Sequence, residues 1–506
     1  MTLRRSATET GAAVPSTWRH WPFWALTAAY GGALMLPKLL SEGTFLDGEI
    51  YAVLARNLAE GQGSFWRPYF SPTDPVWVEH PPLGLNIASL FYRALGDGVW
   101  VEHVYSFVTA LVCGWLIVAA WLRATGGSRQ LRELRWLPLL FWLLNPQVTW
   151  AYANNMLENT MTIFTLLAVL ALLRACRDRG PWPLDLVLGA AAMVAAALTK
   201  GIVGLFPVAT FVAYQLATGR LGWGRTAART VLLAAAVTTL IALILAIPAA
   251  RSNIALYLDT QFLKSLSGQR GGTDNQFRFL VKLLNTLLPT LGAAGVIWLT
   301  GRRGRGQDAA APDLRRWALV FLLLGMAGSV PLVFSPRQSM FYVLPSFPCY
   351  ALAFSLWVAP AAAELVARMQ ERPRALRAWQ TTAGLLLAAV LVYSASRIGT
   401  YNRSEAAIRD VKAIGAFVQA ELGLDRTQPY EIGMCRGLWT QWGLHTNLAR
   451  YSRLGAARND STMAFVVAQD RCAADLEGRY ARVPIATREF HLYSRSTDGA
   501  GGGQAP

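Results

Sequence analysis

The chain of 506 residues is 54% hydrophobic and only 15% charged, against about a quarter charged in an ordinary soluble domain, which excludes a simple soluble globule. Its net charge of +17 invites a nucleic-acid reading, yet the arginines sit in short segments between long apolar runs, which assigns them to membrane topology instead. The expectation is a polytopic α-helical membrane protein whose surroundings are membrane lipids and which takes no nucleic acid.

The N-terminal segment 1–20 carries Arg4, Arg5 and Arg19 and is expected to be cytoplasmic. The run from Trp21 to Leu40 has no small-residue cleavage site and is read as an anchor rather than a signal peptide. Runs near the crossing length of about 17 to 25 residues fall at 21–40, 103–122, 136–153, 158–175, 183–199, 201–219, 230–250, 279–300, 317–335, 339–358 and 379–398, giving about 11 spans. Every second connection is basic: Arg123 to Arg135, Arg174 to Arg179, Arg220 to Arg229, "GRRGRGQDAAAPDLRR", and Arg368 to Arg377. That alternation predicts a cytoplasmic N-terminus and places the C-terminal region outside the plasma (inner) membrane.

Two outer segments are long, 41–102 and 251–278, and long loops in a compact protein usually carry function. In the first, Ile50, Val53, Leu54 and Leu58 recur at helical spacing, so Glu49 to Glu60 reads as an amphipathic juxtamembrane helix lying on the membrane surface. Residues 81–95 are too short for a comfortable span and are placed along the outer interface. Beyond the last span, which closes the membrane domain 21–399, the composition changes. "YEIGMC", "TMAFVVA" and "TREFHLYSR" read as strands and "SEAAIRDVKAIGAFVQAELG" as a helix, predicting a small α/β domain at 400–495 and a disordered glycine-rich tail at 496–506. Cys435 and Cys472 share this polar region, with a disulfide or two thiols as open alternatives; Cys113, Cys176 and Cys349 lie in or beside spans as small apolar residues. No internal repeat is visible, so the inverted halves of many transporters are absent from the pattern.

Chemistry-bearing residues gather at outer span ends. Asp47 and Glu49 follow the first run, where Asp47 suits an N-cap and either carboxylate suits a base for an acceptor hydroxyl. Glu79 and His80 stand before Pro81-Pro82 on a rigid extended segment. Glu158 opens a span beside Asn154, Asn155 and Asn159, at a depth where a carboxylate needs a partner. Lys200 in "LTKG" and Arg337 in "FSPRQSMFYVLPSFP" are cations at outer turns, suited to phosphate oxygens.

The order of these features, an Asp-x-Glu after the first span, then "HPPLG", "LTKG" and "YVLPSFP", resembles the polyprenyl-phosphate-sugar glycosyltransferases of the GT-C fold, among them lipid A aminoarabinose transferase and protein O-mannosyltransferase, over residues 20–360. The resemblance implies inverting transfer of a single sugar from a polyprenyl phosphate to a cell-envelope acceptor, whether glycan, lipid or protein, with hexose and pentose both open. It further implies Asp47, Glu49 and Glu158 as the catalytic acids, His80, Lys200 and Arg337 at the donor phosphate, and a divalent metal cation at Glu79 and His80. His80 follows the mannosyltransferase pattern where aminoarabinose enzymes carry lysine, which counts against lipid A as acceptor. The competing readings are a transporter or lipid flippase, which wants ionisable groups at span centres, and a transferase of preassembled glycans. The Trp-Trp-Asp motif of oligosaccharyltransferases is absent.

Overall fold

The computed structural model describes residues 17–176, 181–263, 277–301, 311–335, 338–425, 427–459 and 461–496. Most of the N-terminal segment 1–20, the middle of the loop 251–278 and all but one residue of the tail 496–506 lie outside the described residues. All eleven apolar runs fall on helices. These are α1 (Thr17–Leu39), α4 (Val101–Thr125), α6 with α7 (Trp136–Leu143, Pro146–Tyr152), α8 (Leu157–Ala175), α9 (Trp182–Lys200) and α10 (Thr210–Thr218) behind a 3-10 stretch Ile202–Ala209. There follow α11 (Trp223–Leu245), running on into α12 (Pro248–Tyr257), then α13 (Arg278–Gly301), α14 (Ala311–Ser329), α15 (Phe347–Gln370) and α16 (Pro373–Ala395); a short α5 (Arg129–Glu133) links α4 to α6.

Among the described residues eight helices are long and apolar enough to cross a membrane, so the chain is a multi-pass membrane protein. The other three runs are helical but modified. Lys38, Arg19 and His20 dilute α1, Asn145 and Pro146 divide α6 from α7 through an Asn N-cap with proline at the first position, and Gly204 and Pro207 tighten the start of the sixth run into 3-10 geometry.

The segment after α1 departs from expectation. Helix α2 (Leu46–Ala59) forms, but Gly48 through Leu58 are all buried, so it does not lie on a surface with a polar face in water. Its polar side is covered because Arg56 donates to the carbonyls of Ala449 and Arg450 at 3.0 Å each, and Asn57 donates to those of Tyr69 and Phe70 at 2.9 and 3.0 Å. Charges that looked solvated in sequence are satisfied by distant main chain. Helix α3 (Leu83–Leu95) buries Leu85, Ala88 and Tyr92 against α2 and α4.

A two-residue hairpin, β1 (Gly63–Ser64) with β2 (Arg67–Pro68), interrupts the first long loop. After α16 comes the small domain: α17 (Glu405–Leu422), β3 (Tyr430–Met434), α18 (Trp442–Ser452), β4 (Leu454–Ala457), β5 (Phe465–Ala468), α19 (Asp470–Ala473), β6 (Tyr480–Arg482) and β7 (His491–Arg495). Its five strands run in the order β4-β3-β5-β7-β6, with β3 parallel to β4 and β5, and β7 antiparallel to β5 and β6. Ile432, Met434, Val466, Val467 and Leu492 meet Val411, Ile414 and Val418 of α17 in the core. Cys435 and Cys472 are disulfide-bonded, which resolves the open alternative, and the three remaining cysteines are buried thiols.

An ion network fastens this domain to the membrane body. Arg450 of α18 reaches both oxygens of Glu102, at 3.2 and 3.0 Å, and Asp97 at 3.1 Å; Arg453 grips Glu60 and Asp97. The α18 main chain that Arg56 caps belongs to the same seam, so α2 is packed between the bundle and the small domain.

Candidate active site

The loop that ends α7 fixes the start of α2. Asn154 accepts the Phe45 N–H at 2.8 Å, and Asn155, itself in the left-handed region at φ 52°, donates to the Gly48 carbonyl at 2.9 Å. Helix and loop approach so closely that a Cβ on Gly48 would collide with the Asn154 carbonyl. Residue 48 must therefore be glycine for this docking. The α2 N-cap is Phe45, which contributes no side-chain bond, and Asp47 lies inside the helix rather than before it. The capping role expected of Asp47 is not met, and Glu49 Oε1 accepts the Thr44 N–H, which precedes the helix, at 3.1 Å.

Both acids are thus helical and two residues apart, which at 3.6 residues per turn separates them by about 200°. They face different surroundings. Asp47 turns toward Tyr51 on the next turn, with Oδ2 3.5 Å from the hydroxyl. Glu49 turns toward the small domain, where Tyr451 lies 3.5 Å from Oε1. Burial raises the Glu49 carboxyl to about 7, opposed by the Thr44 N–H, raised further by Glu102 and lowered by Arg450 and Tyr451. The geometry gives Glu49 to the domain seam and Asp47 to the cluster described next.

Lys200 is the last residue of α9, because Gly201 takes φ 105° and ends the helix there. Its Nζ donates to the Tyr51 hydroxyl at 2.6 Å and lies 3.2 Å from Glu158 Oε1 at the first turn of α8. It also lies over the rings of Tyr51 at 4.9 Å and Phe341 at 5.8 Å. Glu158 is fully buried, and neither oxygen has a hydrogen bond of good geometry: the ion pair with Lys200 is close but misaligned. A carboxylate so placed is supplied with charge but short of donors, and a ligand bearing hydroxyls can provide them.

His80 packs edge-on against Tyr51, centroids 5.7 Å apart, and burial together with the Lys200 charge holds its imidazole well below the ordinary range. Glu79 is exposed, and its charge, with those of Asp47 and Glu158, adds to burial in pushing the Tyr51 phenol well above its ordinary range. Asp47, Tyr51, Glu79, His80, Glu158 and Lys200 thus form one constellation at the end of the bundle that bears the small domain. Arg337 lies outside the described residues.

Tyr51 is the centre that sequence reading missed; its only signal was the Asp47-to-Tyr51 spacing of four on a helix, which a core tyrosine shares. Among the described residues no group of three or more His, Cys, Asp or Glu side chains is gathered to hold a metal ion. Glu79 and His80 offer two donors, so a divalent cation held there would draw further oxygen ligands from a bound phosphate.

No protein-family model and no curated protein sequence matches the chain. Solved structures do. The crystal structure of ArnT from Cupriavidus metallidurans bound to undecaprenyl phosphate superposes with a TM-score of 0.62 at 16% identity, covering 97% of this chain and all (100%) of that one. The arabinofuranosyltransferase AftD from mycobacteria gives 0.51 at 15% identity over 96% of this chain and 40% of its own. The chain has the GT-C fold with a small C-terminal sheet domain, as the motif order implies.

Proposed function

We propose that this protein is an inverting glycosyltransferase that moves a single sugar from a polyprenyl phosphate to a cell-envelope acceptor at the outer face of the plasma membrane. The observation that carries this reading is the meeting of Asp47 and Lys200 on one tyrosine hydroxyl, at 3.5 and 2.6 Å, beside a buried carboxylate. A potential base and a potential phosphate ligand are thereby held a few ångströms apart on rigid helices, as in-line displacement requires. The GT-C fold, shared with a protein whose structure holds undecaprenyl phosphate, supports the carrier class.

In this mechanism the acceptor hydroxyl attacks the anomeric carbon from the face opposite the phosphate. Asp47 takes its proton, a role typically worth 10²–10⁴-fold in rate. The bond from the anomeric carbon to the phosphate oxygen breaks and the polyprenyl phosphate leaves with its electrons. Lys200 has three N–H groups, of which one goes to Tyr51 while Glu158 Oε1 lies 3.2 Å away without an aligned bond, so donors remain for a phosphate oxygen. Asp47, Glu79 and Glu158 all act on Tyr51, beside the Lys200 ammonium, so the departing phosphate needs a second cation, and Arg337 is the proposed one. Glu158 orients Lys200 and, through its donor-poor oxygens, accepts hydroxyls of the transferred sugar.

The test is biochemical. Purified protein supplied with polyprenyl phosphate sugars and envelope extract should release polyprenyl phosphate, and cells lacking the protein should accumulate one lipid-linked monosaccharide while losing one sugar from an envelope glycan. An unchanged sugar profile accompanied by altered lipid or ion transport would replace this reading with a transporter.

A further inference from the structure

The first long loop and the small domain enclose a second concave surface, separate from the Lys200 constellation. One wall is residues 70–74. Ser71 and Asp74 exchange main-chain hydrogen bonds at 3.3 and 3.1 Å, Ser71 Oγ meets Thr73 Oγ1 at 3.1 Å, and Asn57 anchors the preceding carbonyls. Pro72 sits so close to Gly455 on the edge strand β4 that a Cβ there would lie 2.9 Å from its Cδ. The wall is held in place rather than draped over the domain. The opposite wall comes from β3, β4 and α18, and between them lies a cleft of about 620 Å³, within the range of about 300–1,000 Å³ usual for small-molecule sites.

The chemistry of the lining is specific. Trp442 leaves 37% of its surface exposed, a large indole that its neighbours cover only in part. Around it stand the acceptors Asp74 and Glu431 and the donor fork of Arg458, whose guanidinium lies 6.0 Å from the indole centroid. His445, 5.3 Å from the same indole, gives its Nε2 proton to the Trp439 carbonyl at 3.3 Å, which leaves Nδ1 as an acceptor. An apolar chain bound here would desolvate two carboxylates and a guanidinium without return. A phosphate-bearing ligand would face two carboxylates against one guanidinium. A sugar matches both features: its C–H face lies on the indole, and its hydroxyls serve acceptors and donors alike.

The cleft also connects to the constellation. Trp442 meets Trp77 edge-on at 6.2 Å; Trp77 is three residues from His80, at most about 10 Å of extended chain; and the His80 ring is 5.7 Å from that of Tyr51. The segment 77–80 thus carries one ring against the cleft tryptophan and one against Tyr51.

We propose that the cleft between residues 70–74 and the small domain is a saccharide-binding site, and that it holds the glycan onto which the sugar is moved. The second half of this proposal rests on the transferase reading; the first does not. The full-length protein in lipid nanodiscs is to be screened on an array of neutral oligosaccharides of mannose, glucose, galactose and arabinose, with affinities then measured by calorimetry. At least one oligosaccharide class should bind; Trp442→Ala should weaken it tenfold or more, and Glu431→Gln, an exposed strand residue whose neutralisation spares the fold, at least threefold. Absence of binding to every oligosaccharide, or affinities unaltered in both cleft variants, overturns the site. Binding with the expected variant losses but no release of polyprenyl phosphate by the wild-type protein leaves the site standing and removes the transferase reading.

Discussion

Lys200→Met separates the structural from the chemical contribution of the constellation. In the native protein the Lys200 and Glu158 side chains are 4% and 0% exposed, with Nζ 3.2 Å from Oε1. Removing the ammonium leaves a carboxylate inside the bundle with no donor at either oxygen, and breaking one partner of a buried pair costs about 3–5 kcal/mol. Adding Glu158→Met removes the stranded charge, and an apolar pair of similar volume is close to isoenergetic with the ion pair, so the double variant recovers most of the loss. Activity follows a different course. Both variants lack the 2.6 Å donor to Tyr51 and the cation at the leaving phosphate, and both should transfer at least a hundredfold more slowly. Thermal melts in detergent measure the first effect, and polyprenyl phosphate release by the purified protein measures the second. A double variant as unstable as Lys200→Met refutes the pairing; one with near-native turnover refutes a role for Lys200 in the chemistry.

The two acids of the first loop should divide in the same way. Asp47→Asn is expected to keep the native melting temperature and reduce transfer by 10²–10⁴-fold, with retained activity sinking its assignment as base. Glu49→Gln should keep turnover and change the pH dependence of stability. Because folding raises the Glu49 carboxyl from 4.5 to about 7, the folded state binds its proton more tightly, so this group's contribution to stability is greatest below pH 4.5 and falls by about 3 kcal/mol as pH rises through 7. Glu49→Gln should match the wild type at pH 4.5 and exceed it at pH 8, and melting curves that stay parallel across this range would remove Glu49 from the seam. Cys435→Ser opens a crosslink of sequence separation 37 and should destabilise the small domain by about 4 kcal/mol by loop entropy, read as a lower urea midpoint. For sidedness, a cysteine replacing exposed Glu79 should react with a membrane-impermeant maleimide in intact cells; labelling only after permeabilisation would invert the proposed topology.

The spans were legible because continuous hydropathy over membrane thickness is a signal that no tertiary contact has to supply. Lys200, Glu158 and Asp47 were legible for a related reason: charges at span ends are costly unless used, so each stood out from its apolar flanks. The separation of Asp47 from Glu49 was hidden by a shift of a few residues. Starting the helix near Glu49 makes Asp47 a cap and the two acids neighbours, whereas starting it at Leu46 puts them on opposed faces. In the small domain, three strands and one helix were readable from alternation and amphipathic period. Strand β4, "LGAA", has no strand-forming residues, and α18, "WGLHTNLARYS", carries only Leu444, Leu448 and Tyr451 at apolar spacing while burying His445, Thr446, Asn447 and Arg450.

Those unreadable elements are what aim the site. Helix α2 is held on one side by Asn155, 107 residues away in sequence, and on the other by the main chain of Ala449 and Arg450, 393 and 394 residues from Arg56. Its docking onto Asn154 permits no side chain at position 48, and its seam with α18 is fixed by an arginine enclosed by Glu102 and Asp97. A helix clamped on two faces cannot rotate, so the direction of Asp47 toward Tyr51 and Lys200 is set by partners that no local window of sequence contains. The same clamp brings β4 and α18 against residues 70–74. The docking of the small domain therefore has two consequences at once: it orients the proposed base, and it builds the cleft beside residues 70–74.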